Sequence, residues 1–209
     1  RKAWDRDAKN VIERIEAQFE DRLPLFVKPC SAGSSVGVTK VKSYAELGPA
    51  IRCALEHDDK VLVEECIVGR EFEVAVMGNS LPYASRIGEI LSAGEFYDYE
   101  SKYTNPESMT RVVEDIPEEK MDEIREKAIR LYRGLDCRGL ARVDFFYTAE
   151  GKVYFNEINT LPGFTDISMY PSLWNSEGVT TTELVDRLVT YAMREHENWS
   201  LIERSPSVI

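Results

Sequence analysis

Histidine is nearly absent from these 209 residues: only His57 and His196 occur, and the four cysteines (Cys30, Cys53, Cys66, Cys137) are scattered with no C-x-x-C pair. That leaves too few soft ligands for a structural zinc site, and the thiols read as structural groups of a reducing compartment. Positive charge is also short, with 26 Lys and Arg against 37 Asp and Glu and a formal net charge of -11. A nucleic-acid partner is excluded on that balance, because binding a polyanion needs a basic face. A small anionic ligand is not excluded, since a few cations inside a cleft suffice. No apolar run approaches the roughly 20 residues of a membrane span, and the start RKAWDRDAKN lacks the apolar core of a signal peptide. The expectation is a cytoplasmic, soluble protein, without repeats or low-complexity tracts.

What is present is an ordinary globular composition, 43% hydrophobic and 30% charged, enough for one domain or two small ones. Val11, Ile12, Ile15 and Phe19 recur at helical spacing and predict a helix over 4–19. Strands are expected at 25–28 and 36–41. Ser43 and Glu46 form a capping-box pattern before a helix reaching His57. Extended runs follow at 60–67, 71–77 and 82–91. Periodicity then vanishes over 92–111, a length of loop that is usually functional, and it reads as a lid. After Pro117 a helix carries Ile124, Ala128, Leu131 and Leu135 on one face. Two strands, 138–148 and 152–158, meet at Glu150-Gly151; a short helix near Tyr170 and a capping box at Thr180 and Glu183 complete the chain. The expected architecture is α+β, with one subdomain over 1–91, the lid over 92–111 and a second subdomain over 112–209.

The strongest chemical signal is the hairpin. A two- or four-residue turn at Glu150-Gly151 puts Asp144 opposite Glu157 and Arg142 opposite Asn159, all on one face. A three-residue turn without a bulge breaks that face. Facing carboxylates repel unless a cation lies between them, and hard oxygen donors suit Mg²⁺ shared with substrate phosphates. Read alone, the pairing also fits a solvated hairpin. The loop from Lys28 to Val38, with Gly33, Ser34, Ser35 and Gly37, is small enough for backbone N–H groups to approach a phosphate. It is not a P-loop, since no G-K-[ST] opens a helix, and a plain hairpin loop has the same composition. Glu64 and Glu65 end an apolar strand and Glu71 follows, a layout that suits a nucleotide's adenine edge and ribose but also any exposed strand end. The lid holds Phe96, Tyr97, Tyr99 and Tyr103, aromatic rings that closure would bury, and Lys102, which could reach a γ-phosphate when the lid shuts.

Taken in order, VKPCSAGSSVGV, VLVEECIVGREFEVAV, GEFYDYESKY, GLARVDFF and NEINTLPGFTDISMYP resemble the D-alanine–D-alanine ligase family. The resemblance runs from about Leu25 to the last helix. It implies the ATP-grasp fold, with ATP between two α+β subdomains, and two Mg²⁺ ions for which Mn²⁺ can substitute. By match, Lys28 and Lys102 resemble the phosphate-binding lysines, Ser35 lies in the phosphate loop, and Phe96 lies against adenine. Glu64, Glu65 and Ile67 look like the adenine-edge strand and Glu71 the ribose carboxylate. Asp144 with Glu157, and Glu157 with Asn159, match the two metal sites. Arg142, assisted by the backbone of Gly163, resembles the group that stabilises the tetrahedral intermediate. Ser34 and Tyr103 match the contact that closes the lid over the first D-alanine, and Ser168 and Met169 match the second subsite.

The implied activity is ATP-dependent joining of two D-alanines through an acyl phosphate, for peptidoglycan precursors, in a family that is often homodimeric. The family's N-terminal domain, with its anchor for the first D-alanine, has no counterpart in these residues, and Arg1 suggests an excised piece. A D-alanine–D-serine ligase is the runner-up, and a non-catalytic ATP-binding module is an alternative of another class. Tyr103 argues against a D-lactate enzyme, while Arg142, Lys102 and the acid-acid-amide set argue against the module.

Overall fold

The computed structural model describes residues 1–33, 35–91 and 109–201. Among the described residues two compact units emerge, one from within 1–68 and the other from 69–91 with 109–201.

In the first unit, α1 (Lys2–Arg6) and α2 (Ala8–Gln18) replace the single helix expected over 4–19. The break is Asp7, which leaves helical geometry and whose carboxylate accepts from the Asn10 N–H, so it caps α2. The sheet has order β2-β1-β3, from β1 (Leu25–Pro29), β2 (Thr39–Val41) and β3 (Val61–Glu65), all antiparallel. β3 stops two residues before the expected Ile67. Leu25, Val27 and Val41 face α3 (Leu47–Leu55), whose Leu47, Ile51 and Leu55 complete a buried core edged by Ile12, Ile15 and Phe19. The pattern at Ser43 yields a 3-10 turn over Tyr44–Glu46 first, because Glu46 accepts from the Lys42 N–H and the Ser43 hydroxyl instead of closing a capping box.

The second unit is built on a five-stranded antiparallel sheet of order β6-β5-β4-β7-β8. Its strands are β4 (Arg70–Met77), β5 (Tyr83–Leu91), β6 (Met109–Val112), β7 (Leu140–Tyr147) and β8 (Val153–Asn159). This differs from the boundary expected at residue 91. β4 and β5 pair with β7 and β6, not with β3, and the end of the expected lid, 109–111, is strand. The chain changes sheets at Gly69, where a Cβ would stand 2.7 Å from the Tyr147 carbonyl oxygen, a backbone approach open only to glycine. The near-continuous burial of β4 marks a central strand.

One face of this sheet is apolar. Phe72, Val74, Val76, Val143 and Phe145 pack beneath α4 (Glu118–Gly134) through Ile124, Ala128 and Tyr132. Tyr132 takes the place expected of Leu135, which is exposed because the helix ends at Gly134. The opposite face is covered at one end by α5 (Met169–Ser176), whose Met169, Tyr170, Leu173 and Trp174 pack on Ala75 and Met77. α6 (Thr181–Ser200) opens with the full capping box of Thr180 and Glu183 and adds Leu184, with Leu188 and Tyr191 alongside. The four cysteines, all among the described residues, are free thiols; burial pushes the Cys137 thiol up. No helix among the described residues is long and apolar enough to cross a membrane.

Candidate functional site

In the first unit, Lys28 lies on the outer face of β1, away from the core made by Leu25 and Val27. Its Nζ meets Glu64 Oε2 at 2.8 Å, across the pairing of β1 with β3. Lys40, in β2 opposite Phe26, shares that face and was not singled out in the sequence. The loop after Lys28 is held at its base: the Ser31 N–H donates to Asp58 Oδ2 at 2.7 Å, and the Lys60 N–H donates to the other oxygen. These bonds hold the Asp58 carboxyl below the usual carboxylate range, the Lys60 bond first and the Ser31 bond next. The loop tightens through Val36 N–H to the Gly33 carbonyl and Val38 N–H to the Ser35 carbonyl. Ser35 itself has φ 59°, and Gly37 has φ 72° with space for a Cβ closed by His57 Cδ2 at 2.5 Å. Glu65 is the last residue of β3, and Ile67 follows in the connector. Ser34, Phe96, Lys102 and Tyr103 lie outside the described residues.

In the second unit, β7 and β8 bring four polar residues to one face. Asp144 is the partner of Glu157, and Arg142 the partner of Asn159. The route to that register differs from the expectation. The loop is a three-residue one, 149–151, with Thr148 N–H donating to the Lys152 carbonyl and Gly151 at φ 75°. The adjoining pairs are therefore Tyr147 with Val153, Phe146 with Tyr154 and Phe145 with Phe155. A bulge then takes up Asn156, so that Asp144 meets Glu157 and not Asn156. Asn156 is the extra residue.

Arg142 organises the acids. Its Nε and Nη2 donate to the two Asp144 oxygens at 2.8 and 2.7 Å, a bidentate fork. Its Nε also lies 3.2 Å from Glu73 Oε1. Burial alone would lower the guanidinium, but the charges and hydrogen bonds of Asp144, with the charges of Glu73 and Glu157, raise it, so it stays cationic throughout. Glu73, 4% exposed, sits in β4 opposite Asp144 on one side and Gly88 on the other. It was missed in the sequence, where the signal was a charged residue alternating with Phe72 and Val74 inside an apolar strand. Glu71, two residues earlier, points to the same face of this sheet. The Asn159 amide oxygen accepts from the Leu161 N–H at 3.1 Å, which fixes its rotamer. Three carboxylates around one guanidinium leave excess negative charge on this face.

Gly163 and Ser168 close the loop that follows. The Ser168 hydroxyl accepts from the Thr165 N–H at 2.9 Å, and a Cβ on Gly163 would stand 2.9 Å from that same oxygen. Met169 begins α5 over Gly88, where a Cβ would come within 2.5 Å of its sulfur. Since Gly88 is the β5 partner of Glu73, the start of α5 is seated beside the acidic row.

Among the described residues no group of three His, Cys, Asp or Glu forms a ready metal cage. The donor set at β7 and β8 is an open one, two carboxylates and an amide on one face, which fits a hard divalent ion that completes its shell with water and substrate oxygens. It does not fit zinc.

A family model described as D-ala D-ala ligase C-terminus matches residues 1–190. The chain belongs to this family. The D-alanine–D-alanine ligase of Acetivibrio thermocellus is 49% identical over 193 residues, 92% of this chain and 51% of that protein. D-alanine–D-alanine ligase A of Salmonella typhimurium is 51% identical over 183 residues, 86% of this chain and 50% of that protein. Among solved structures, the D-alanine-D-alanine ligase from Coxiella burnetii matches at a TM-score of 0.79 and 39% identity, covering 90% of this chain and 50% of that one. The VanG D-Ala:D-Ser ligase from Enterococcus faecalis matches at 0.76 and 40%, covering 88% and 53%. The α+β architecture is accordingly that of the ATP-grasp ligases. The chain spans about half the length of the curated relatives it matches.

Proposed function

We propose that these residues carry the nucleotide- and metal-binding half of an ATP-dependent carboxylate–amine ligase that joins D-alanine to D-alanine for peptidoglycan precursor synthesis. The observation that carries the reading is the shared face of Arg142, Asp144, Glu157 and Asn159. A solvated hairpin has no use for two facing acids held by a buried arginine, since breaking even with such a group costs desolvation.

The nucleotide set is Lys28 and the Gly33–Gly37 loop, including Ser35, for the phosphates, Glu64, Glu65 and Ile67 for the adenine edge, and Glu71, on β4, for the ribose. Phe96 and Lys102 belong to the same nucleotide set. Asp144, Glu157 and Asn159 would hold Mg²⁺, which would supply neutralisation of charge on the transferring phosphoryl group. A carboxylate oxygen of the first D-alanine takes the γ-phosphoryl group as ADP leaves, giving an acyl phosphate, and the amine of the second D-alanine attacks its carbonyl carbon, loses a proton and expels phosphate. Arg142, cationic at every working pH, donates to the oxyanion of that tetrahedral species together with the Gly163 N–H. Ser34 and Tyr103 enclose the first amino acid, and Ser168 and Met169 receive the second. The names of the curated relatives favour D-alanine as second substrate; the VanG neighbour, a D-Ala:D-Ser ligase, keeps D-serine as the second reading.

The test is phosphate release from Mg-ATP by the full-length protein, with D-alanine alone and with D-alanine plus D-serine. Release dependent on D-alanine, lost by two to three orders of magnitude in Arg142→Met, roughly the loss on removing one oxyanion donor, supports the reading. ATP binding without amino-acid-dependent turnover sinks it in favour of a binding module. The 209-residue chain alone is expected to bind Mg-ATP weakly and form little dipeptide.

A further inference from the structure

We infer that Glu73 is a positioning residue for Arg142, taking over the guanidinium when a divalent cation engages Asp144. This rests on the ligase reading above. Asp144 is bound by Arg142 through both of its oxygens, yet the same carboxylate belongs to the donor set of the cation. A carboxylate that turns an inward-facing lone pair onto a cation gives up one arm of its fork with a guanidinium, because the fork engages the inward-facing lone pair of each oxygen. Arg142 must then be held by something else, or its aim is lost.

Glu73 has the placement for this. Its Oε1 is already 3.2 Å from Arg142 Nε, and it stands on β4 directly across from Asp144. Its side chain is 6% exposed, in the middle of a strand paired on both sides, so it cannot relax into solvent. Gly88 opposite and Met169 above it close the other side of the row. A guanidinium has five N–H donors and can change acceptor without losing charge pairing. The hand-over moves Arg142 from one fixed carboxylate to another on the neighbouring strand, keeping an oxyanion donor within the narrow tolerance that catalysis requires.

The experiment is titration of the full-length protein with Mn²⁺ in the presence of ATP, following free Mn²⁺ by electron paramagnetic resonance against an ATP-only control. With Glu73→Gln, Arg142 stays on Asp144 and competes with the ion, so Mn²⁺ affinity falls about tenfold, as for groups that orient metal ligands. In the Arg142→Met background there is no competitor, and the same substitution has no further effect; that non-additivity is the signature of action through Arg142. Equal losses in both backgrounds reveal long-range charge alone and overturn the inference, as does an unchanged affinity in the parent background. In those cases the ligase reading stands. A full-length parent that takes up no Mn²⁺ beyond the ATP-only control overturns both. The urea midpoint of each variant checks folding, and Glu73→Met replaces a Gln variant that does not fold.

Discussion

Phe72 and Glu73 are neighbours in β4, both nearly sealed from solvent, and they look out on opposite faces of one sheet. Phe72 enters a core of aliphatic and aromatic side chains under α4, stacked on Tyr147 with ring centroids 5.2 Å apart. Glu73 enters a row of carboxylates gathered on Arg142. The apolar face gains stability from each group buried. The acidic face returns little, because ion pairs taken out of water barely recover their desolvation and an extra negative charge remains. One face holds the sheet together, and the other is held in place by it.

The sharpest way to break the comparison is to empty the apolar face. Phe72→Ala is expected to cost about 3–5 kcal/mol in urea unfolding, the range for a large aromatic lost from a core. The joint between α5 and the acidic row comes next. Gly88→Ala drives a methyl into Met169 and is expected to cost about 1–3 kcal/mol as an overpacked contact, but little when made in a Met169→Ala background. An equal cost in both backgrounds would mean that α5 is not seated where Met169 and Gly88 meet.

Glu157→Gln should act in the reverse sense. Removing one of two facing charges is expected to stabilise the fold by about 0.2–1 kcal/mol while weakening Mn²⁺ binding with ATP; a loss of stability instead would show that the acid is structural. The smallest effect belongs to the polar rim of the apolar face, where Arg70 and Arg111 hold Glu89 and Asp115. Hydrogen bonds from Arg70 and then Arg111 bring Asp115 down from 3.8 to about 2. Burial alone would raise Glu89, but bonds from the same two arginines outweigh it and bring Glu89 below its ordinary value. A group depressed on folding stabilises above its unfolded value and loses that contribution as pH falls through its folded one. Stability should therefore decline between pH 3.8 and about 2, and Asp115→Asn should flatten that decline in acid unfolding followed by circular dichroism.

The difference between the faces also explains what could be read from the residues alone. Strands and helices followed from periodicity, and Asp144, Glu157, Arg142 and Asn159 were found because the hairpin that pairs them is local. Sheet membership was not legible: the runs at 61–65 and 70–77 look alike, and only the partners of β4, residues 83–91 and 140–147, reveal that they lie in different sheets. Those pairings are long-range, and alternation within a strand says nothing of them. Glu73 escaped for the same reason, since its partners arrive from β5 and β7. The α1–α2 break escaped because Asp7 interrupts a pattern that the apolar positions continue across.

The bulge at Asn156 divides the β7–β8 hairpin into two ladders that keep separate count. Near the tip the ladder is phased by the 149–151 loop; near the acids it is phased by the pairing of Arg142 with Asn159. The spare residue is the hinge of that bookkeeping, so deleting Asn156 would straighten the strand yet leave Glu157 facing Asp144. Loop grafts at the tip can thus change length without carrying their error down to the acids.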